Sequence, residues 1–245
     1  MTDEEKYIFD LQGFLKLESV LSPAEVSAMQ NDMAEHGIAN PDNNPQKSRF
    51  QFLDWGDRWR NLIDHERLLP CLNAIIGERF RLDHIYGMAA SKDGESGQFG
   101  LHHESHMFGH GCYSHFEKGR MHNGLIVVSF ALSDTTEGGG GFICIPGSHK
   151  ANFNTPKPFY SAENNPLVVN VPVKAGDVII FTESLTHGTA QWTLEHERRA
   201  ALLKYCPHYM NWSKGAINAE AIDGLTDRQK LILEGGYVWQ REAVV

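Results

Sequence analysis

The pair His102-x-Glu104 is the feature of this sequence with the clearest chemistry. Alternate side chains of a strand point to the same face, so an imidazole and a carboxylate two residues apart can hold one ion together. His187 is the best candidate for a third ligand, because it follows the apolar run 178–181 and precedes small residues. Two imidazoles and one carboxylate leave three adjacent positions open on an octahedral Fe(II). The sequence therefore predicts an iron site with room for 2-oxoglutarate and O₂.

An arginine at a suitable distance supports this prediction. Arg198 follows His187 by 11 residues, just before the apolar run 200–205. A guanidinium can bond both oxygens of a carboxylate, which a lysine cannot do, so we expect Arg198 to bind the far carboxylate of 2-oxoglutarate. Arg199 would point to the opposite face of an extended strand, so only one of the two arginines can serve.

Short apolar runs separated by turn residues must position these side chains. They predict strands at 80–88, 125–132, 142–145, 167–173, 178–181 and 200–205, with a turn at 174–177. Because no helical pattern is interleaved between them, the runs favour an antiparallel double sheet over a parallel α/β fold. The predicted fold class is mainly β with flanking helices, a double-stranded β-helix or jelly roll.

The flanking helices have their own signals. Ser22, Pro23 and Glu25 form a capping box before an apolar stripe that Gly37 ends. Further helices are predicted at 66–76 and 225–233. We expect a single domain over residues 1–245, with N-terminal helical support at about 1–78, a β core at about 79–210 and a helical tail at 211–245.

Composition excludes several partners. The formal net charge is −9 and no Lys/Arg-rich run occurs, which opposes binding to nucleic acid or to an anionic membrane. The acidic N-terminus lacks a secretory pattern, so a cytoplasmic location is expected. Four widely spaced cysteines predict buried, reduced thiols. The expected partner is a small-molecule substrate, and nothing in the sequence indicates an oligomeric state.

The stretch Gly141-Phe142-Ile143-Cys144-Ile145-Pro146-Gly147-Ser148-His149-Lys150 resembles a signature of the phytanoyl-CoA dioxygenase family, as does the opening Gln12-Gly13-Phe14-Leu15. The resemblance covers roughly residues 8–205. It implies a double-stranded β-helix, Fe(II) held by His102, Glu104 and His187, and 2-oxoglutarate bound by Arg198. It also implies a hydroxyl from Thr189 on the co-substrate carboxylate. His103 and Phe130 match positions that line the co-substrate.

One ligand departs from the pattern of many relatives, which have aspartate where this chain has Glu104. The longer Glu104 side chain changes the expected coordination geometry. The presence of a carboxylate at this position disfavours a halogenase. In the family the Pro146-Gly147-Ser148-His149 segment forms a turn, and we expect His149 to be structural for the same reason.

Residues after the metal pair are the expected substrate wall. The candidates are His106, His110, Tyr113, His115, Arg120 and Asn123, with Arg58 from an Arg/Trp group that precedes the core strands. The acidic charge makes a small metabolite or a natural-product intermediate a better substrate than a bulky CoA thioester.

The sequence thus predicts an Fe(II)/2-oxoglutarate-dependent dioxygenase that hydroxylates an unactivated C–H bond, with ascorbate as the reductant in an assay. One alternative is a cupin-like lyase, isomerase or hydrolase that works with zinc or manganese and ignores 2-oxoglutarate. The other is a non-catalytic protein that binds iron and 2-oxoglutarate without consuming O₂.

Overall fold

The computed structural model describes residues 1–38, 49–92, 99–102, 111–163 and 165–245. Within these ranges the α-helices are α1 (Asp3–Gln12), α2 (Pro23–Glu35), α3 (Asp57–Arg60), α4 (Leu69–Ile75) and α5 (Asp227–Leu233). The strands are β1 (Phe14–Leu17), β2 (Arg49–Phe50), β3 (Phe80–Ala90), β4 (Phe99–His102), β5 (Ser114–Glu117), β6 (Arg120–Asn123), β7 (Ile126–Ala131), β8 (Gly141–Cys144), β9 (Val169–Asn170), β10 (Val178–Thr182), β11 (His187–Ala190) and β12 (Arg198–Pro207). Short 3-10 helices lie at Ser148–Lys150, Lys157–Tyr160 and Ala219–Ala221.

The strands form two main antiparallel sheets and a separate hairpin. The larger sheet has six strands in the order β1-β10-β7-β12-β3-β2, and the smaller has four in the order β4-β11-β8-β9. Strands β5 and β6 pair only with each other among the described residues. The sequential strands β10 and β11 lie in different sheets, as in a jelly roll, so the predicted fold class is confirmed.

Each central strand of the six-stranded sheet sends alternate side chains into two different cores. Ile126, Val128 and Phe130 of β7 join a large apolar cluster with the helices, and we call this side the helix face. Val127 and Ala131 join a smaller cluster that includes side chains of the four-stranded sheet, and we call this side the inner face. The period-2 geometry of a strand therefore divides each sequence run between two environments.

The N-terminal half supplies both helices and strands. Helix α2 begins as predicted, with the Ser22 hydroxyl accepting from the Glu25 amide and the Glu25 carboxylate accepting in return. The N-terminal support contains strands as well as helices, because β1 pairs along β10 and closes one edge of the large sheet. Phe14 of β1 packs into the inner-face cluster. The N-terminal segment thus helps to build the interior around the site.

Most predicted elements occur at nearly the predicted positions. The run 167–173 gives only the two-residue strand β9, whereas β12 extends beyond its predicted range at both ends. All four cysteines are free and buried, as expected. None of the helices in the described part of the chain has the length and apolar character that crossing a bilayer requires. The division into one domain remains a prediction.

Candidate metal centre

Strands β4 and β11 bring the two predicted histidine ligands together. His102 and His187 are directly opposite in the antiparallel ladder, and their ring centroids are 4.4 Å apart. Cross-strand partners point to the same face, so the two imidazoles share one side of the small sheet. His187 is buried and His102 is half-buried. The pairing of these strands joins residues 85 positions apart in the sequence.

Backbone carbonyls set the orientation of both rings. His187 Nδ1 lies 2.6 Å from the Leu185 carbonyl oxygen, and His102 Nδ1 lies 2.9 Å from that of Gly100. A carbonyl oxygen can only accept, so each Nδ1 carries the proton and donates it. Each Nε2 is then left as a lone-pair donor, which is the arrangement usual for metal-binding histidines.

A carboxylate completes a three-residue cluster beside these nitrogens. Donor atoms of His102, Glu183 and His187 all lie within 4.8 Å of one another. Glu183 is fully buried and follows directly after β10, and its Oε2 lies 3.8 Å from His187 Nε2. Two imidazoles with a carboxylate are a donor set suited to Fe(II) and related metals.

The turn that carries Glu183 and His187 is buried and firmly held. The Glu183 amide donates to the Leu125 carbonyl at 2.9 Å, and the Leu185 amide donates to that of Thr182 at 3.0 Å. The Ser148 hydroxyl accepts from the Thr186 amide at 2.8 Å. The Pro-Gly-Ser-His signature therefore supports the metal turn from outside, although its serine is distant in sequence.

His149 of the same signature has a structural role, as predicted. Its ring is buried, and Nε2 donates to the Asp10 carbonyl of α1 at 3.2 Å. Burial lowers the pKa of His149 to about 4, so the ring is neutral near pH 7. Gly13 has a φ of +82°, and a Cβ added there would lie 2.5 Å from the His149 ring. The signature thus docks the N-terminal segment against the barrel.

Arg198 and Arg199 lie on opposite faces of the large sheet. Arg198 is buried on the inner face, in a small cavity with Ser129, Phe142 and Ile179 in its wall. Its Nη1 is buried and has no hydrogen-bond partner in the described part of the chain. Burial lowers its pKa to about 10, which still leaves a cation at neutral pH.

Arg199 instead lies on the helix face. Its guanidinium bonds the Glu197 carboxylate at 2.7 Å and reaches the Gln30 carbonyl of α2 at 3.5 Å. The alternation of side chains along β12 therefore separates the two arginines, and only Arg198 faces the interior between the sheets.

A second cation of β12 also lies inside. Lys204 forms an ion pair with the Oε1 atom of Glu183, and its Nζ lies 5.8 Å from the centre of the Tyr86 ring. Burial by itself would lower the pKa of Lys204, but the adjacent Glu183 carboxylate raises it above the usual value. Arg49 of β2 stacks on the same ring at 4.9 Å. The inner face thus carries a largely buried Glu183–Lys204 ion pair, with the exposed Arg49 on the other side of Tyr86.

The predicted co-substrate residues divide between the two faces. Thr189 is half-buried two residues after His187, on the same side of β11. Phe130 is fully buried in the helix-face cluster, with its ring 6.4 Å from that of His65. Phe130 thus has the opposite parity from the inner-face side chains of β7, and its contact with the co-substrate stays a prediction. Ser129 and Ala131 line the Arg198 cavity instead.

Two predicted substrate residues, Asn123 and Arg58, make contacts within the fold. Asn123 is buried and donates to the Ile75 carbonyl of α4 at 2.7 Å. Arg58 forms an ion pair at 3.6 Å with Asp32 in the helical layer, on the far side of the large sheet from His187. Helix α3 packs against α2, and the predicted role of Arg58 in substrate binding stays a prediction.

The other described candidates lie around the β5–β6 hairpin. The Tyr113 hydroxyl is 2.8 Å from that of Tyr209, and burial raises the pKa of Tyr113 well above its usual value. His115 and His122 stack across the hairpin at 5.0 Å. Arg120 lines a groove between α1, α4 and this hairpin, and none of the three clustered donors lies in that groove.

Four of the predicted site residues, His103, Glu104, His106 and His110, lie outside the described residues. Their predicted roles remain predictions.

Sequence reasoning missed the buried pair of Glu183 and Lys204, although the sequence around each residue indicates a buried charge. Glu183 is a charged residue directly after the apolar run 178–181, four positions before His187. Lys204 is the single charge within the otherwise apolar run 200–206 and has the same parity as Arg198. A lone charge at an inward position of a buried strand indicates a buried partner.

Several solved structures are similar to this chain. HygX from Streptomyces hygroscopicus, crystallised with nickel and 2-oxoglutarate, is 24% identical, with a TM-score of 0.74 over 97% of this chain and 96% of that chain. AviO1 from Streptomyces viridochromogenes Tue57 is 19% identical, with a TM-score of 0.63 over 83% and 93% of the two chains. SnoK, a non-haem alpha-ketoglutarate-dependent carbocyclase from nogalamycin biosynthesis, is 17% identical, with a TM-score of 0.64 over 90% and 89%. At these identities the likeness establishes a common fold.

A comparison with curated proteins gives no match. The sequence does match the phytanoyl-CoA dioxygenase (PhyH) family over residues 9–200. This match spans both histidines of the cluster, the Pro-Gly-Ser-His signature and Arg198. Because it covers most of the 245 residues, the chain belongs to the phytanoyl-CoA dioxygenase family.

Proposed function

We propose that this chain is an Fe(II)- and 2-oxoglutarate-dependent oxygenase, with His102, Glu104 and His187 as metal ligands and Arg198 as the anchor for 2-oxoglutarate. The observation that carries the proposal is the buried Arg198 guanidinium, whose Nη1 has no hydrogen-bond partner among the described residues. A buried charge without a partner is costly. A carboxylate entering the cavity would remove that cost.

The surroundings of Arg198 fit a small dianion that also reaches the metal. The Phe142 ring lines the Arg198 cavity and lies 6.2 Å from the His187 ring, so one side chain borders both places. Thr189 is on the same face as His187 and offers a hydroxyl. This arrangement favours 2-oxoglutarate over the metal lyase alternative, which has no use for an inward guanidinium.

The chain itself contributes ligation, charge and exclusion of water. His102 and His187 present Nε2 because their Nδ1 protons are held by backbone carbonyls. Apolar side chains of both sheets surround the site, which strengthens the charge interactions inside it. When bound, iron with 2-oxoglutarate and O₂ would supply the oxidising power that converts 2-oxoglutarate to succinate and CO₂ while a substrate C–H bond is hydroxylated.

We propose a small metabolite or natural-product intermediate as the substrate. Two similar structures support this class, since HygX has been crystallised with hygromycin B bound and SnoN is described as an epimerase from nogalamycin biosynthesis. SnoN and the carbocyclase SnoK have the same fold, so we keep an oxidation other than hydroxylation as the alternative reaction on the substrate.

Turnover of 2-oxoglutarate tests the proposal. Protein reconstituted anaerobically with Fe(II), ascorbate and 2-oxoglutarate should release succinate on exposure to air, and faster when a metabolite pool contains its substrate. Zn(II) in place of Fe(II) is the control and should give none. Activity with Zn(II) that ignores 2-oxoglutarate would support the lyase alternative. Binding of 2-oxoglutarate without O₂ consumption for any metabolite would support the non-catalytic one.

A further inference from the structure

We propose that the groove between α1, α4 and the β5–β6 hairpin binds helix α1 of a second copy of this chain, so that two copies form a symmetric dimer. None of the three clustered donors lines this groove. The inference therefore goes beyond the proposed function and does not depend on it.

The groove is large and has exposed apolar side chains on two of its walls. Its volume is about 990 Å³. Tyr7 of α1 and Phe116 of β5 line it and are 68% and 65% exposed, and Ile76 and Met121 add further apolar lining. Single apolar residues on a surface are ordinary, but an apolar surface with polar groups around it marks an interaction site.

Helix α1 has an apolar stripe on its solvent side as well. A surface helix normally turns polar residues to solvent and apolar ones to the core. Helix α1 buries only Phe9, whereas Tyr7, Ile8 and Leu11 are 68%, 41% and 60% exposed. Residues spaced by three or four positions lie on one face of a helix, so Leu11 shares a face with Tyr7 and Ile8. The stripe points away from the core that Phe9 joins.

The charges of α1 and of the groove are complementary. The first turn of α1 is acidic, and its Glu4 precedes Tyr7 and Ile8 by three and four positions, on the same exposed stripe. Arg120 lines the groove and forms no ion pair with any other residue that the structure describes. Because the net charge of −9 makes two copies repel each other, a pairing of Glu4 with the partner copy's Arg120 favours one orientation.

A second copy is the occupant that matches both features. Helix α1 carries the stripe and also forms one wall of the groove, so the two surfaces are adjacent. In a twofold dimer the same surface of each copy meets the other, and a contact from the first to the second is repeated in reverse. Two α1 helices placed side by side would each lie in the groove of the other copy. Each contact then forms twice, which increases the area buried toward the roughly 800 Å² per partner of a stable interface.

Sedimentation velocity of the full chain tests the dimer. Wild-type protein should sediment with the mass of two chains. Leu11→Arg and Phe116→Arg each place a charge in the proposed interface and should raise the dissociation constant at least about tenfold. Val238→Arg is the matched control, since Val238 is 69% exposed and lies in the tail after α5. All of these positions are exposed, so thermal unfolding of the variants should remain cooperative.

A charge exchange tests the orientation of the two copies. Arg120→Glu and Glu4→Lys should each weaken the dimer by about threefold to tenfold at low salt, because like charges then meet across the interface. The double variant Glu4→Lys/Arg120→Glu restores opposite charges in both copies and should recover most of the wild-type affinity. High salt should reduce these differences.

A wild-type chain that sediments as a monomer at all concentrations would overturn the inference. A dimer that Val238→Arg dissociates while Leu11→Arg and Phe116→Arg leave it intact would also overturn it, because the interface would then lie elsewhere. Dissociation by the two groove variants, together with recovery in the charge-exchanged double variant, is the result that supports it.

Discussion

The two faces of the six-stranded sheet are built from the same strands but bury different kinds of side chain. On the helix face, β7, β10 and β12 contribute apolar residues to one large core. On the inner face the same strands bury Arg198 and Lys204, and Glu183 follows the end of β10. Apolar packing stabilises a fold, whereas buried charges stabilise little unless they bind something. The difference agrees with our proposal that the inner face performs the chemistry while the helix face maintains the structure.

Removal of a metal ligand should give the largest effect on activity and the clearest functional difference between the two faces. His187→Ala is expected to reduce succinate formation by more than about 100-fold, since loss of a ligand exceeds the loss from an outer partner. Thermal unfolding of the metal-free protein should change far less. Full activity in this variant would remove His187 from the metal site.

Truncation on the helix face should have the opposite pattern. Phe130→Ala leaves a cavity in a fully buried core and should lower the free energy of unfolding by about 3–5 kcal/mol. The apparent KM for 2-oxoglutarate in the folded variant should stay near the wild-type value. Ser129→Ala, one residue away on the inner face, is the matched control for stability. A raised KM with unchanged stability in Phe130→Ala would contradict the division between the faces.

The two neighbouring arginines provide a test within one strand. Arg198→Leu should raise the apparent KM for 2-oxoglutarate about 10- to 100-fold, since charge-assisted hydrogen bonds are lost. Arg199→Leu breaks the ion pair with Glu197 on the helix face and should leave KM unchanged. Initial rates of succinate formation against 2-oxoglutarate concentration measure both. Equal effects of the two substitutions on the KM for 2-oxoglutarate would contradict the assignment of the two arginines to opposite faces.

A smaller effect is expected from the buried histidine that joins α1 to the barrel. The pKa of His149 is about 4 in the folded protein, below the ordinary value of 6.5. Its neutral form is therefore favoured by folding, and the associated stability is present above pH 6.5 and lost as the pH falls toward 4. The loss should be about 1 kcal/mol for each pH unit.

Chemical denaturation at several pH values can measure this dependence. His149→Gln retains an N–H donor but does not titrate, so its free energy of unfolding should fall less than that of wild type between pH 6.5 and 5. An equal fall in the free energy of unfolding with pH in the two proteins would show that His149 does not account for the pH dependence of stability.

Much of the fold could be predicted from local patterns. The capping box at Ser22 and Glu25 gave the start of α2, and the apolar runs gave β3, β7, β10 and β12. Each of these signals depends on neighbouring residues, which the sequence places together. Strands β1, β2 and β11 are short and were missed, because they are stabilised by partners distant in the chain.

The site was predictable to the extent that residue type and motif defined it. His102, His187 and Arg198 could be named from their types and spacing, and parity separated Arg198 from Arg199. For Phe130, family correspondence predicts a contact with the co-substrate, whereas strand parity places the side chain on the helix face. The ion pair between Glu183 and Lys204 was missed because no local pattern joins two charges 21 residues apart.

The sequence by itself determined the family, the jelly-roll class and the types of side chain that could bind a metal and a dicarboxylate. Only the tertiary structure decided which of those side chains meet. It paired β4 with β11, divided β12 between two cores and brought Glu183 to within 3.8 Å of His187. The physical reason is that contacts between sheets depend on register and burial across the whole chain, which short-range patterns do not contain.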